Sequence, residues 1–107
     1  EDAIEDIRIH IEYDVLAERG YGSVLDEIVS LLADIVTSAA ETIRINQINI
    51  PIDKVRWRFK QLTAEHIEYV ISSLEKNTTE IKNMRAYLLT ALYNSIDTLD
   101  TAALYGA

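Results

Sequence analysis

Residues 23–40 read SVLDEIVSLLADIVTSAA. Val24, Ile28, Leu31, Leu32, Ile35 and Ala39 stand at i, i+4, i+7, i+8, i+11 and i+15, one wide apolar stripe at the helical period. The spacing predicts the central helix of the fold, with Ser23 as its N-cap. Upstream, Gly20-Tyr21-Gly22 breaks the pattern. Before it, Ala3 to Leu16 places Ile4, Ile7 and Ile11 at helical spacing, while Ile7, Ile9 and Ile11 also alternate as a strand would. Helix is the preferred reading, because no turn leads from this segment to a pairing partner.

Downstream the period changes. Ile43 and Ile45 alternate with Thr42, Arg44 and Asn46, and Ile48 and Ile50 flank Asn49 before Pro51. Two short β-like runs joined through Asn46-Gln47 predict a hairpin that must lean on helices, since an isolated pair of strands is barely stable. Helical spacing then returns with Ile52, Val55, Phe59 and Leu62 on one face. Ile67, Val70, Ile71 and Leu74 mark a further helix with Thr63 as its N-cap. Asn77-Thr78-Thr79 is expected to end it and to cap another, in which Ile81, Met84, Leu88, Leu92 and Ile96 recur. A short last helix is expected from Asp97 to Tyr105, capped by Asp97 or Asp100. The predicted fold is mainly α, a compact bundle of about six helices with one small β-hairpin around residues 42–50. Leu31, Ile35, Phe59, Val70 and Leu88 are its expected core.

Composition bounds the rest. The 107 residues are 49% hydrophobic and 26% charged, which suits a single globular domain over 1–107. Cysteine is absent, so no disulfide framework or thiolate metal site exists. Asp and Glu number 18 against 10 Lys and Arg, a net charge of -8. Coating a duplex needs the opposite sign, because phosphate affinity comes from cations that release counterions. The longest apolar-rich stretch, Val24–Ala40, is broken by Asp26, Glu27 and Asp34, too short and too charged to span a bilayer. The start at Glu1 is neither an initiator Met nor a signal peptide, and is read as a cut from a longer, cytoplasmic protein.

Enzymatic signatures are missing. The three glycines, at 20, 22 and 106, form no phosphate loop. His66-Ile67-Glu68 matches the H-x-E of zinc deaminases without the paired cysteines that complete that site. No helix-borne H-E-x-x-H or E-x-x-H occurs. His10, His66, Asp26-Glu27 and Glu65/Glu68 are therefore read as structural or solvated groups. The Asn77-Thr78-Thr79 sequon is read as a helix boundary. No enzyme, metal or cofactor is expected.

One constellation stands apart. Lys54, Arg56, Arg58 and Lys60 interleave with Trp57 and Phe59. At about 100° per residue, Phe59 falls inward with Val55 and Trp57 falls on the opposite side. An outward Trp framed by cations stacks bases, holds phosphates or anchors a protein partner. Arg44 on the hairpin extends the patch. The alternative is that Trp57 covers the core edge with the cations snorkelling around it. A DNA-reading helix-turn-helix around Thr63 is disfavoured, because its second helix carries Glu65, Glu68 and Glu75 against Lys76.

The run Ile81-Lys82-Asn83-Met84-Arg85-Ala86-Tyr87-Leu88-Leu89-Thr90-Ala91-Leu92-Tyr93-Asn94 resembles the closing helix of DnaD-like domains and replisome organisers of Gram-positive bacteria and their phages. Leu25-Asp26-Glu27-Ile28-Val29, Ile43-Arg44-Ile45-Asn46, Val55 with Arg58 and Phe59, and His66-Ile67-Glu68-Tyr69-Val70 follow in matching order. Together they resemble the C-terminal domain of RepA-type replication initiators from plasmids and conjugative elements of Firmicutes, over about Ile7 to Asn94. That resemblance implies a missing N-terminal winged-helix domain that binds the origin. It also implies a C-terminal domain that engages host helicase-loading or primosome proteins. The expected function is thus non-enzymatic protein interaction in replication initiation, with no membrane partner. An accessory nucleic-acid-binding role and self-association of the initiator remain as alternatives.

Overall fold

A computed structural model describes residues 2–105, with side chains described for 2–99. Six helices and two strands follow in the order α1 (Asp2–His10), α2 (Tyr13–Glu18), α3 (Gly22–Thr37), β1 (Thr42–Ile45), β2 (Ile48–Pro51), α4 (Ile52–Phe59), α5 (Ala64–Lys76) and α6 (Met84–Tyr105). The fold is mainly α with one antiparallel hairpin. Helix α3 is central, packing against α1, α2, α4 and α6. It buries Ile28, Leu31, Leu32 and Ile35 of the predicted stripe, together with Leu25 and Val29. Leu31, Ile35, Phe59, Val70 and Leu88 are all buried, and the buried apolar side chains form one continuous cluster.

The hairpin falls where the alternation places it. Ile45 pairs with Ile48 and Thr42 with Pro51, leaving Asn46 and Gln47 as a two-residue turn. Both turn residues have positive φ, 55° and 64°, the sign that lets a type I′ turn follow the twist of its strands. Ile45 is buried beneath α4 and α6, so the helices supply the apolar support that an isolated hairpin lacks.

Five boundaries differ from the sequence reading. The segment from Ala3 to Leu16 is two helices, because Glu12 adopts a left-handed conformation at φ 58° and ψ 54°. The break turns both Ile11 and Leu16 into the core, while Ile9 stays outside. Helix α3 starts at Gly22 after Tyr21, so Ser23 lies within it and is not its cap. Gly20 and Gly22 take φ of 87° and 58°, the reversal that glycine permits cheaply. At its far end α3 stops at Thr37, which leaves Ala39 exposed beyond the stripe.

Asn77 ends α5, as predicted, but starts no new helix. Its side-chain oxygen accepts the Thr79 N–H at 2.8 Å, and α6 begins only at Met84. Asn83 supplies the cap, accepting the Ala86 N–H at 3.0 Å, so Ile81 lies in the connection. No separate last helix forms, since α6 continues through Asp97 to Tyr105. Asp97 bonds Arg58 instead of capping, and the alternative cap, Asp100, lies outside the described side chains. Thr63 does cap α5. His66 answers it, its Nδ1 accepting the Thr63 backbone N–H at 3.0 Å in the place usually held by Glu or Gln.

Candidate functional site

Helix α4 is fixed at its start by the hairpin, where the Ile52 N–H donates to the Glu41 carbonyl at 2.9 Å. Ile52, Val55 and Phe59 turn inward. The helical period then sends the intervening cations in different directions, and their neighbours determine what each can do. Arg56 faces the end of α3. Its Nε donates to the Ile35 carbonyl at 3.3 Å and an Nη donates to the Ser38 carbonyl at 2.6 Å. Carbonyls at a helix C-terminus lack intrahelical donors, so Arg56 caps α3. Arg58 faces α6. It donates to the Tyr93 carbonyl at 2.7 Å, pairs with Asp97 at 3.0 Å and lies over the Tyr93 ring. Two of the six candidate contact residues are thus tied into the fold.

The other four point outward. Trp57 is 66% exposed, so its ring stands in solvent rather than covering the core edge. Lys54 and Lys60 are exposed on either flank of it, and no described carboxylate lies within 4.0 Å of either. Arg44 is exposed on β1, where it donates to the Asn49 side chain across the hairpin at 3.4 Å. Ile48 beside the turn is 62% exposed. The outer face of α4 thus presents an exposed Trp between two lysines, and Trp is a residue type enriched at interface anchors.

A groove of about 540 Å³ runs between α1, α3 and α4. Ile7, Ile11, Leu32, Val36 and Phe59 line it, with Asp6, His10, Arg56 and Lys60 also contributing to its walls. Sequence reasoning missed it, since it exists only where three helices meet. Its one sequence signal is Val36, an apolar residue off the predicted stripe of α3.

The model of a family of unknown function, DUF6017, matches residues 2–104. The chain belongs to that family. No curated protein and no solved structure matches it.

In this DUF6017 domain Asp26, His66 and Glu68, singled out in the sequence, serve the fold, whereas Glu27 and Glu65 are exposed. Glu68 accepts hydrogen bonds from Arg19 and from the Tyr21 hydroxyl, joining the turn before α3 to α5. Burial raises the Tyr21 hydroxyl above its ordinary pKa, and Glu68 adds to the rise. Asp26 accepts the Tyr13 hydroxyl proton at 2.5 Å, which raises the Tyr13 pKa and links α2 to α3. His66 is 8% exposed and serves as the α5 cap. His10 lines the groove. Among the described residues no cluster of three or more His, Asp or Glu could hold a metal ion. Among them, too, no helix is long and apolar enough to cross a membrane.

Proposed function

We propose that this domain is a non-enzymatic docking module of a plasmid or conjugative-element replication initiator, recruiting host helicase-loading or primosome proteins in the cytoplasm. The exposed Trp57 between Lys54 and Lys60 carries the docking part of this reading. Trp is among the residues most enriched at the anchor positions of protein interfaces, where burial on binding makes its large ring count. The replication part is supported by the ordered resemblance from Leu25-Asp26-Glu27 through Ile81–Asn94. Nucleic acid is a weaker fit for the same surface. Arg56 and Arg58 are held internally, which leaves Arg44, Lys54 and Lys60 on a chain of net charge -8. Three cations engaging a single strand give a salt slope of only about -2.

The test measures binding of a purified helicase-loading protein and of a single-stranded oligonucleotide, each at low and physiological salt, to the parent chain and to Trp57→Ala. Loss of about 2 kcal/mol of protein affinity with little salt dependence supports docking. A loss confined to the oligonucleotide, with steep salt dependence, transfers the surface to nucleic acid. Unchanged binding of both removes Trp57 from any interface.

A further inference from the structure

Helix α1 contributes no buried residue, whereas every other helix contributes at least one. Ile7 is its one side chain packed against the core, and it is only partly buried. Ile4 and Ile9 are 39% and 68% exposed. Among the described residues, no α1 side chain forms a hydrogen bond or an ion pair with another element. Its polar link to the rest is the Arg8 guanidinium, 4.6 Å from the centroid of the Tyr13 ring on α2.

Anchoring begins immediately downstream. Ile11 and Leu16 are fully buried. The Tyr13 hydroxyl donates to Asp26, and Arg19 and Tyr21 both donate to Glu68. Between α1 and these ties the backbone turns left-handed at Glu12, so no continuous helix carries rigidity across the joint. Beneath α1 lies the groove of about 540 Å³, with Ile7 and His10 on one wall and Leu32 and Phe59 opposite. Facing walls that leave such a gap forfeit much of their mutual dispersion attraction.

The balance for releasing α1 therefore differs from that for any other helix. Undocking exposes little apolar surface beyond Ile7, and elements with few buried contacts open first. A helix of nine residues is too short to persist alone in water, so release also returns backbone entropy. Helices α3 and α5 bury long apolar stripes and have no such route.

We infer that α1 is a lid, which opens upstream of Ile11 while α2 to α6 stay folded and bares Leu32 and Phe59 on the α3–α4 seam. In the closed chain these two side chains are 4% and 7% exposed. The lid makes the apolar seam accessible without unfolding the domain.

Hydrogen exchange of the unaltered 107-residue chain reads the opening first. Amides of residues 6–10, which have acceptors within α1, should be roughly tenfold or more less protected than those of residues 28–35 in α3. Thiol labelling then separates lid opening from fraying. The chain has no cysteine, so one introduced thiol reports alone. Leu32→Cys places it beneath α1, and Leu88→Cys places it in the core away from the groove. Alkylation should be roughly tenfold or more faster at position 32, and adding Ile7→Asp should raise that rate further while changing position 88 by less than about twofold. Equal rates at the two thiols, or a parallel rise at both with Ile7→Asp, assign the opening to global unfolding and overturn the lid. Protection of residues 6–10 equal to that of α3 overturns it as well, whether or not the cysteine variants fold.

Discussion

Arg58 lies over the Tyr93 ring with its guanidinium carbon 4.2 Å from the ring centroid, and the same side chain donates to the Tyr93 carbonyl at 2.7 Å. Asp97, one turn along α6, accepts a further bond at 3.0 Å. The edge of the Phe59 ring also meets Tyr93, at a centroid distance of 6.3 Å. Adjacent residues of α4 thus clamp one residue of α6 from two sides. The clamp fixes the orientation of α4, and with it the direction in which Trp57 points.

Arg58→Ala should destabilise the fold by about 2 kcal/mol, because it removes a cation–π contact and the donor to the Tyr93 carbonyl. Arg58→Lys should recover little of this, since an ammonium cannot stack and donate in the same plane. Denaturant midpoints of the two variants measure it. A lysine variant as stable as the parent would show that charge alone matters here.

Arg56→Ala should cost about 1 kcal/mol by removing its bonds to the Ile35 and Ser38 carbonyls at the end of α3. Asp53, which pairs with Arg56 at 3.2 Å but is almost wholly exposed, makes a useful contrast. Asp53→Ala should change stability by less than about 0.5 kcal/mol, as exposed pairs usually do. Equal losses in thermal melts would place the effect in the ion pair and not in the cap.

Glu12 holds a left-handed conformation that disfavours any side chain with a Cβ by roughly 1–2 kcal/mol. Glu12→Gly should therefore be neutral or more stable by up to about 1 kcal/mol, against the usual direction of glycine substitution. Glu12→Val should go the other way. A glycine variant that melts well below the parent would mean that the bend is held by the Glu12 side chain.

His66→Gln should preserve the reciprocal cap on α5, whereas His66→Ala should lose about 1 kcal/mol. On a domain of this size that corresponds to a melting shift of about 4–8 °C. Equal melting of the two variants would show that His66 acts by filling space and not by accepting the Thr63 N–H.

Tyr13 and Tyr21 both have hydroxyls raised above the ordinary value, Tyr13 through its bond to Asp26 and Tyr21 mainly through burial. The raised values favour the protonated phenols in the folded state. That stabilisation is complete below about pH 10 and is lost as pH rises through the raised values. Melting temperature should fall above about pH 10, and a Tyr13→Phe/Tyr21→Phe double variant should fall less steeply. Parallel curves would remove both tyrosines from the alkaline transition.

The periodicities alone determined the central helix, the hairpin and the core. The expected helix number agrees only because the break at Glu12 offsets the fusion of the two last expected helices into α6. Leu31, Ile35, Phe59, Val70 and Leu88 are recognisable because a stripe at i, i+3 and i+4 has one way to face a neighbour. The Asn46-Gln47 turn is legible because its alternating flanks leave two residues between them. The helical period places Trp57 on the far side of Val55 and Phe59, but whether it stands free or covers the core edge was left open, and its 66% exposure decides that. Only the tertiary structure decided the rest, because it depends on what each side chain meets from distant elements. Arg56 and Arg58 look like Lys54 and Lys60 along the chain. They differ in meeting the open end of α3 and the face of Tyr93, acceptors 18 to 35 residues away. The groove has the same origin. Ile7, Val36 and Phe59 come from three helices, and no local pattern records that packing leaves a gap between them.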